Sequence, residues 1–176
     1  IAAPITGLEI SPVTGHLGAY GITYQVDHEQ AAGGAPPIAE TFEVNGDLRW
    51  RRRVTPLLVQ DARSRGAEII QINHPRDSTG YFDTVGYQPD QPIDLITHED
   101  WTADFDTIEV YNGSGDFCKM MRDWHGLLAQ GKRVTAIGNS DSHGLTGKPV
   151  GYPRNYLPIA GENQQAVTKT EIVNAL

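Results

Sequence analysis

Three short apolar runs, at 68–73, 107–111 and 133–137, alternate with segments long enough to hold helices, and this alternation limits the fold more than any other feature. Parallel strands need a crossover of a dozen residues or more, usually a helix, whereas antiparallel strands can be joined by two residues. The expected fold is therefore α/β, with a sheet built largely through helical connections. One helix is expected over 55–65, where Leu57, Leu58, Ala62 and Arg65 fall at amphipathic spacing between Pro56 and Gly66. A second is expected over 116–130, stopped by Gly131, and a third over 168–176. Two more strands, 7–10 and 19–26, precede these elements.

At 176 residues and 39% hydrophobic content the chain has the size of one domain with a real core. Its net charge of −8 opposes binding to a phosphate backbone, so nucleic acid is not expected as a partner. The one basic run, Arg49 to Arg53, follows a turn-like Asn45-Gly46-Asp47 and reads as a solvated loop and helix start. No apolar run is long enough to span a bilayer. Cys118 is alone, which excludes an intrachain disulfide and a cysteine-ligated zinc site; in its helix it reads as a small buried hydrophobe. The segment 31–37 reads as a loop, and the long irregular stretch 75–92, with Tyr81, Phe82 and Tyr87, as a binding loop that walls a pocket. The chain starts at Ile1 without methionine and stops inside an expected helix, so a piece of a longer protein is expected, with its compartment left open.

Functional residues of parallel α/β folds gather where strands end and loops begin. His74 follows strand 68–73, Asn112 ends strand 107–111, and Asn139, Asp141 and His143 follow strand 133–137. Glu9 lies in the first strand, with His16 just beyond a Thr14-Gly15 turn. Together Glu9, His16, His74, Asp141 and His143 form a nitrogen and oxygen donor set of the kind that holds zinc, manganese or iron. On an extended segment, residues two apart point to one side, so Asp141 and His143 are expected to face one site. His28, His98 and His125 sit in acidic or helical surroundings and read as solvated or packed. Arg76 and Arg154, both near these ligand segments, are candidates to hold an anionic part of a small-molecule substrate. Ser140, in Gly138-Asn-Ser-Asp-Ser142, offers a serine-esterase alternative, but Ser142 stands where a nucleophile elbow needs glycine.

The stretches "LEISPVTGH", "INHPR", "DTIEVYNG" and "GNSDSHG" together resemble the PHP (polymerase and histidinol phosphatase) superfamily, in particular its carbaryl-hydrolase-like branch. The resemblance runs from about Gly7 to Arg154. It implies a distorted, TIM-like β/α barrel, incomplete in this chain, with up to three divalent ions at its carboxyl end in the complete protein. It also implies hydrolysis of phosphoesters, esters or carbamates. By the same resemblance Glu9 would be a bridging carboxylate, His16 and His74 would ligate the same ion, and Asp141 and His143 would serve a second and a third. Glu109, Asn112 and Asn139 would support the ligands or touch substrate. The family's early His-x-His or His-x-Asp motif has no counterpart before Glu9. The expected function is a metal-dependent hydrolase working through activated water, with Asp141, His143 and Glu9 as its catalytic groups; the alternative is a non-catalytic barrel remnant that binds metal or ligand.

Overall fold

The structure, a computed structural model, describes residues 5–22, 39–77, 80–112, 116–144, 146–147, 149–159 and 167–176, and for 39–44 and 47–52 the backbone alone. The elements in chain order are β1 (Gly7–Ile10), β2 (Leu17–Tyr20), β3 (Ala39–Val44), β4 (Asp47–Arg52), α1 (Thr55–Ser64), β5 (Ile69–Ile72), α2 (Tyr81–Val85), a 3-10 turn (Ile93–Leu95), β6 (Thr107–Tyr111), α3 (Phe117–Ala129), β7 (Thr135–Gly138) and α4 (Lys169–Asn174). Five strands form one open sheet in the order β1-β2-β5-β6-β7. The α/β expectation holds for β5, β6 and β7, which are parallel. β1 and β2 form an antiparallel hairpin, and β2 runs antiparallel to β5. The sheet does not close on itself among the described residues.

Strand direction decides what meets at the carboxyl edge. Leu17 opens β2 opposite Ile72, the last residue of β5. The β1–β2 turn therefore lies on the same edge as the residues that follow β5, β6 and β7. The expected second strand reached 26, of which 23–26 lie outside the described residues, as do His28 and the expected loop at 31–37.

The sheet's two faces differ because side chains alternate along each strand. Ile70 and Ile72 of β5 and Ile108 and Val110 of β6 share one core with Leu58, Val59 and Ala62 of α1 and Met120 and Leu127 of α3. The alternate set, Ile69, Gln71, Thr107, Glu109 and Ile137, lies outside that core. Polar residues recur on this second face, among them Glu109, a carboxylate only 1% exposed.

Helix α1 buries Leu58, Val59 and Ala62, so Val59 takes the core position expected of Leu57, which is exposed. Val54 offers no side-chain cap, and Asp100 replaces it from 45 residues away. Its Oδ1 accepts from the Thr55 backbone N–H at 2.9 Å and the Thr55 hydroxyl at 3.2 Å. A carboxylate at the positive end of a helix is favourable, and here it is fully buried. In α3 the buried stripe is Met120, Asp123, Gly126 and Leu127. Cys118 precedes that stripe and is exposed, which corrects its reading as a core residue.

Two other readings change. Residues 49–52 belong to β4, because Asn45 and Gly46 both take positive φ, 53° and 85°, as a two-residue type I′ hairpin turn demands. The stretch 75–92 contains α2, and Tyr81, Phe82 and Tyr87 are fully buried members of the core rather than a pocket wall. The Tyr81 hydroxyl donates to the Asp100 carbonyl at 2.8 Å and that of Tyr87 to the Asp123 carbonyl at 2.9 Å, so the rings enter the core with their polar ends satisfied. Among the described residues no helix is long and apolar enough to cross a membrane.

Gly15 holds the β1–β2 turn against α2. Its φ is +123°, and a Cβ there would lie 2.6 Å from the backbone N and Cα of Tyr81. Gly15→Ala therefore meets both backbone strain and overlap with main chain, and is expected to destabilise the fold by about 2–3 kcal/mol. The check is the urea midpoint; an unchanged midpoint would rule out this close approach.

Candidate metal centre

Glu9 sits opposite Gly18 in the β1–β2 register, and His16 stands immediately before β2. The His16 carbonyl accepts from the Asn73 backbone N–H at 3.0 Å, which ties the turn to the end of β5 one residue short of His74. One donor atom each from Glu9, His16 and His74 lies within 4.8 Å of the others. His16 Nδ1 is 2.7 Å from Glu9 Oε1, and the two imidazoles meet edge to face with centroids 4.8 Å apart.

The chemistry of this set fits a divalent ion. Two imidazole nitrogens and a carboxylate oxygen suit zinc, manganese or iron, and a three-ligand site leaves room for water. The Nδ1 of His74 is buried without a hydrogen-bond partner, although buried polar atoms are almost always satisfied. His74 also has φ +25°, uncommon for a residue with a side chain.

Glu109 supports that backbone. Its Oε2 accepts from the His74 backbone N–H and from Asn112 Nδ2, the latter at 3.3 Å. Burial pushes the Glu109 carboxyl up to about 7, opposed by these bonds and one from Asn139, and reinforced by the charge of Asp141. Glu109 thus links the ends of β5, β6 and β7 through His74, Asn112 and Asn139.

The three ends border a cavity of about 400 Å³, into which Glu9, His74, Glu109 and Asp141 face. Asn112, Asn139 and Arg154 line it as well. His143 does not. It is 82% exposed in its side chain, and its Nδ1 donates to the Asp141 carbonyl at 2.8 Å. The two side chains do meet, His143 Nδ1 lying 3.5 Å from Asp141 Oδ1, but with φ +46° at Asp141 the segment is not extended, and only Asp141 lines the cavity.

Arg76 also departs from its sequence reading as a substrate anchor. Its Nε and Nη2 donate to the two Asp123 oxygens at 2.7 and 2.9 Å, its Nη1 to Asp83 at 2.7 Å, and Nη2 also to the Tyr87 carbonyl at 2.8 Å. It holds the segment after β5 against α3, away from the cavity. Ser140 lines the cavity too, and the neighbouring His143 donates its Nδ1 to the Asp141 carbonyl rather than to the serine. Tyr20, Gln71 and Asn155 line the cavity and were not singled out from sequence. The polar break in Ile69-Ile-Gln-Ile72 was a usable signal for Gln71; Asn155 carried none.

No family model, curated protein or solved structure matches the chain, so its likeness to the PHP superfamily rests on the quoted sequence motifs.

Proposed function

We propose that the chain acts as a divalent-metal-dependent hydrolase that cleaves an ester, carbamate or phosphoester bond. The observation that carries this reading is the Glu9, His16 and His74 donor set on the rim of a cavity that the Asp141 and Glu109 carboxylates also line. A divalent ion held there would supply Lewis acidity and a water acidified towards neutrality, so the chain needs no nucleophilic side chain. Asp141, which lines the same cavity, would accept a hydrogen bond from that water. Glu109 keeps His74 oriented through its backbone N–H. Asn112 and Asn139 fix Glu109 in turn. The open five-stranded sheet is then part of a distorted β/α barrel, and further ions would draw on Asp141 and His143.

The test uses the folded chain exposed to zinc or manganese, with metal content read by inductively coupled plasma mass spectrometry. Turnover is assayed on an aryl ester, an aryl carbamate and an aryl phosphodiester. The expected result is about one tightly held ion per chain and turnover that a chelator removes and added metal restores. Turnover indifferent to chelation, or no retained metal, would overturn the proposal. Retained metal with no turnover would replace it with a metal-binding module, identified by a melting temperature that falls on chelation.

A further inference from the structure

Residues 153–155 are fastened to the last residue of β7 in an unusual way. The Gly138 N–H donates to Asn155 Oδ1 at 2.8 Å, and Asn155 Nδ2 donates to the Gly138 carbonyl at 2.9 Å. One side-chain amide thus imitates a strand on the open edge of the sheet, where β7 is the last strand. Pro153 packs on the same glycine, its Cβ 3.3 Å from where a Gly138 Cβ would stand. Arg154 is held between these two contacts and lines the cavity.

Arg53, Arg63, Arg65 and Arg76 each pair with aspartate, while Arg122 and Arg133 make no ion pair among the described residues and line no part of this cavity. Arg154 makes no ion pair among the described residues, although Glu9, Glu109 and Asp141 line the same cavity. It is also the one lysine or arginine among the described residues that line it. A guanidinium presents a planar fork of donors that matches carboxylate or phosphate oxygens two at a time.

We infer that Arg154, positioned by the Asn155 amide, is the anion seat of the cavity, and that the substrate carries a carboxylate or phosphate apart from the bond that is cleaved. This rests on the hydrolase reading for the cleaved bond, but not for the binding of the anion. The seat is fastened to the end of β7, and the donor set comes from β1, the turn before β2 and the residue after Asn73 at the end of β5. Two strand spacings, roughly 10 Å, separate β5 from β7, which sets the scale of the substrate.

The experiment compares two aryl esters with one leaving group, 4-nitrophenyl butyrate and mono-4-nitrophenyl glutarate, on the zinc-loaded full chain. The readout is the ratio of kcat/KM for the anionic ester to that for the neutral one. Arg154→Gln is expected to lower this ratio about 10- to 100-fold, chiefly through KM for the anionic ester. Arg154→Lys should fall between, since it keeps the charge and loses the fork. Asn155→Ala should also lower the ratio although it removes no charge, whereas a merely structural residue would change both esters alike. Inhibition by glutarate and by inorganic phosphate, each compared between wild type and Arg154→Gln, tells which anion is preferred. A ratio unchanged within about twofold in Arg154→Gln would overturn the anion seat while leaving the hydrolase intact. If neither ester turns over, ester cleavage is excluded, and calorimetric titration of the two anions decides on the seat: binding lost in Arg154→Gln upholds it, and binding absent from wild type or unaffected by the substitution rejects it.

Discussion

His74→Ala is expected to lower zinc affinity by roughly 100-fold or more and to remove most hydrolysis, while the fold survives. Supporting residues around a bound metal are commonly worth about 10- to 100-fold in affinity, and a direct ligand is worth at least as much. The substitution isolates the ligand cleanly. Glu109 grips the main-chain N–H of residue 74 and not its imidazole, so alanine keeps that bond. The orphaned Nδ1 disappears with the ring, which removes a buried unsatisfied atom from the metal-free chain. Competition against a chromogenic chelator measures the affinity, and circular dichroism checks the fold. Zinc affinity and turnover equal to wild type would remove His74 from the centre.

The second large effect is on stability. Arg76→Ala is expected to cost about 3–5 kcal/mol, because it leaves the Asp123 carboxylate buried without its cation. Both partners are deep, with side-chain exposures of 6% and 2%. The guanidinium also lies over the Phe82 and Tyr87 rings, 5.5 and 5.8 Å from their centroids, so the loss includes packing between the 76–87 segment and α3. Urea unfolding should show a lower midpoint with a similar slope. The double variant Arg76→Met, Asp123→Leu should recover much of the loss, since an apolar pair needs no charge compensation. A stable Arg76→Ala protein with a raised KM would instead return Arg76 to the role of substrate anchor.

Much of the parallel half was legible because its signals are local. Thr107–Tyr111 is a strand at its expected bounds, and α3 begins after Asp116, whose side chain accepts from the Lys119 N–H as an N-cap should. The positions of Glu9, His16 and His74 were legible for a related reason: each lies within a short strand or beside its end, and β pairing does the rest. What sequence could not supply was long-range partnership. Arg76 and Asp123 are 47 residues apart, and without the second the first looked like a free cation beside a ligand segment. Asp100 and Thr55 repeat the case at 45 residues. The antiparallel setting of β1 and β2 was equally hidden, since a hairpin can join either edge of a sheet in either direction. The exposure of His143 was hidden too, since the positive φ at Asp141 is a dihedral angle that no spacing rule reports.

The backbone at His74 and Asp141 sets these two positions against the rest of the chain. Both have positive φ, a region that costs a residue with a side chain about 1–2 kcal/mol relative to glycine. Histidine and aspartate tolerate it better than most, but neither prefers it. A variant library screened only for heat resistance would therefore drift towards glycine or asparagine at 74 and 141, and each gain would strip a donor from the cavity. On the proposed function, endurance and chemistry compete for the same two residues, so an effort to toughen this protein would hold them fixed and seek its improvements elsewhere.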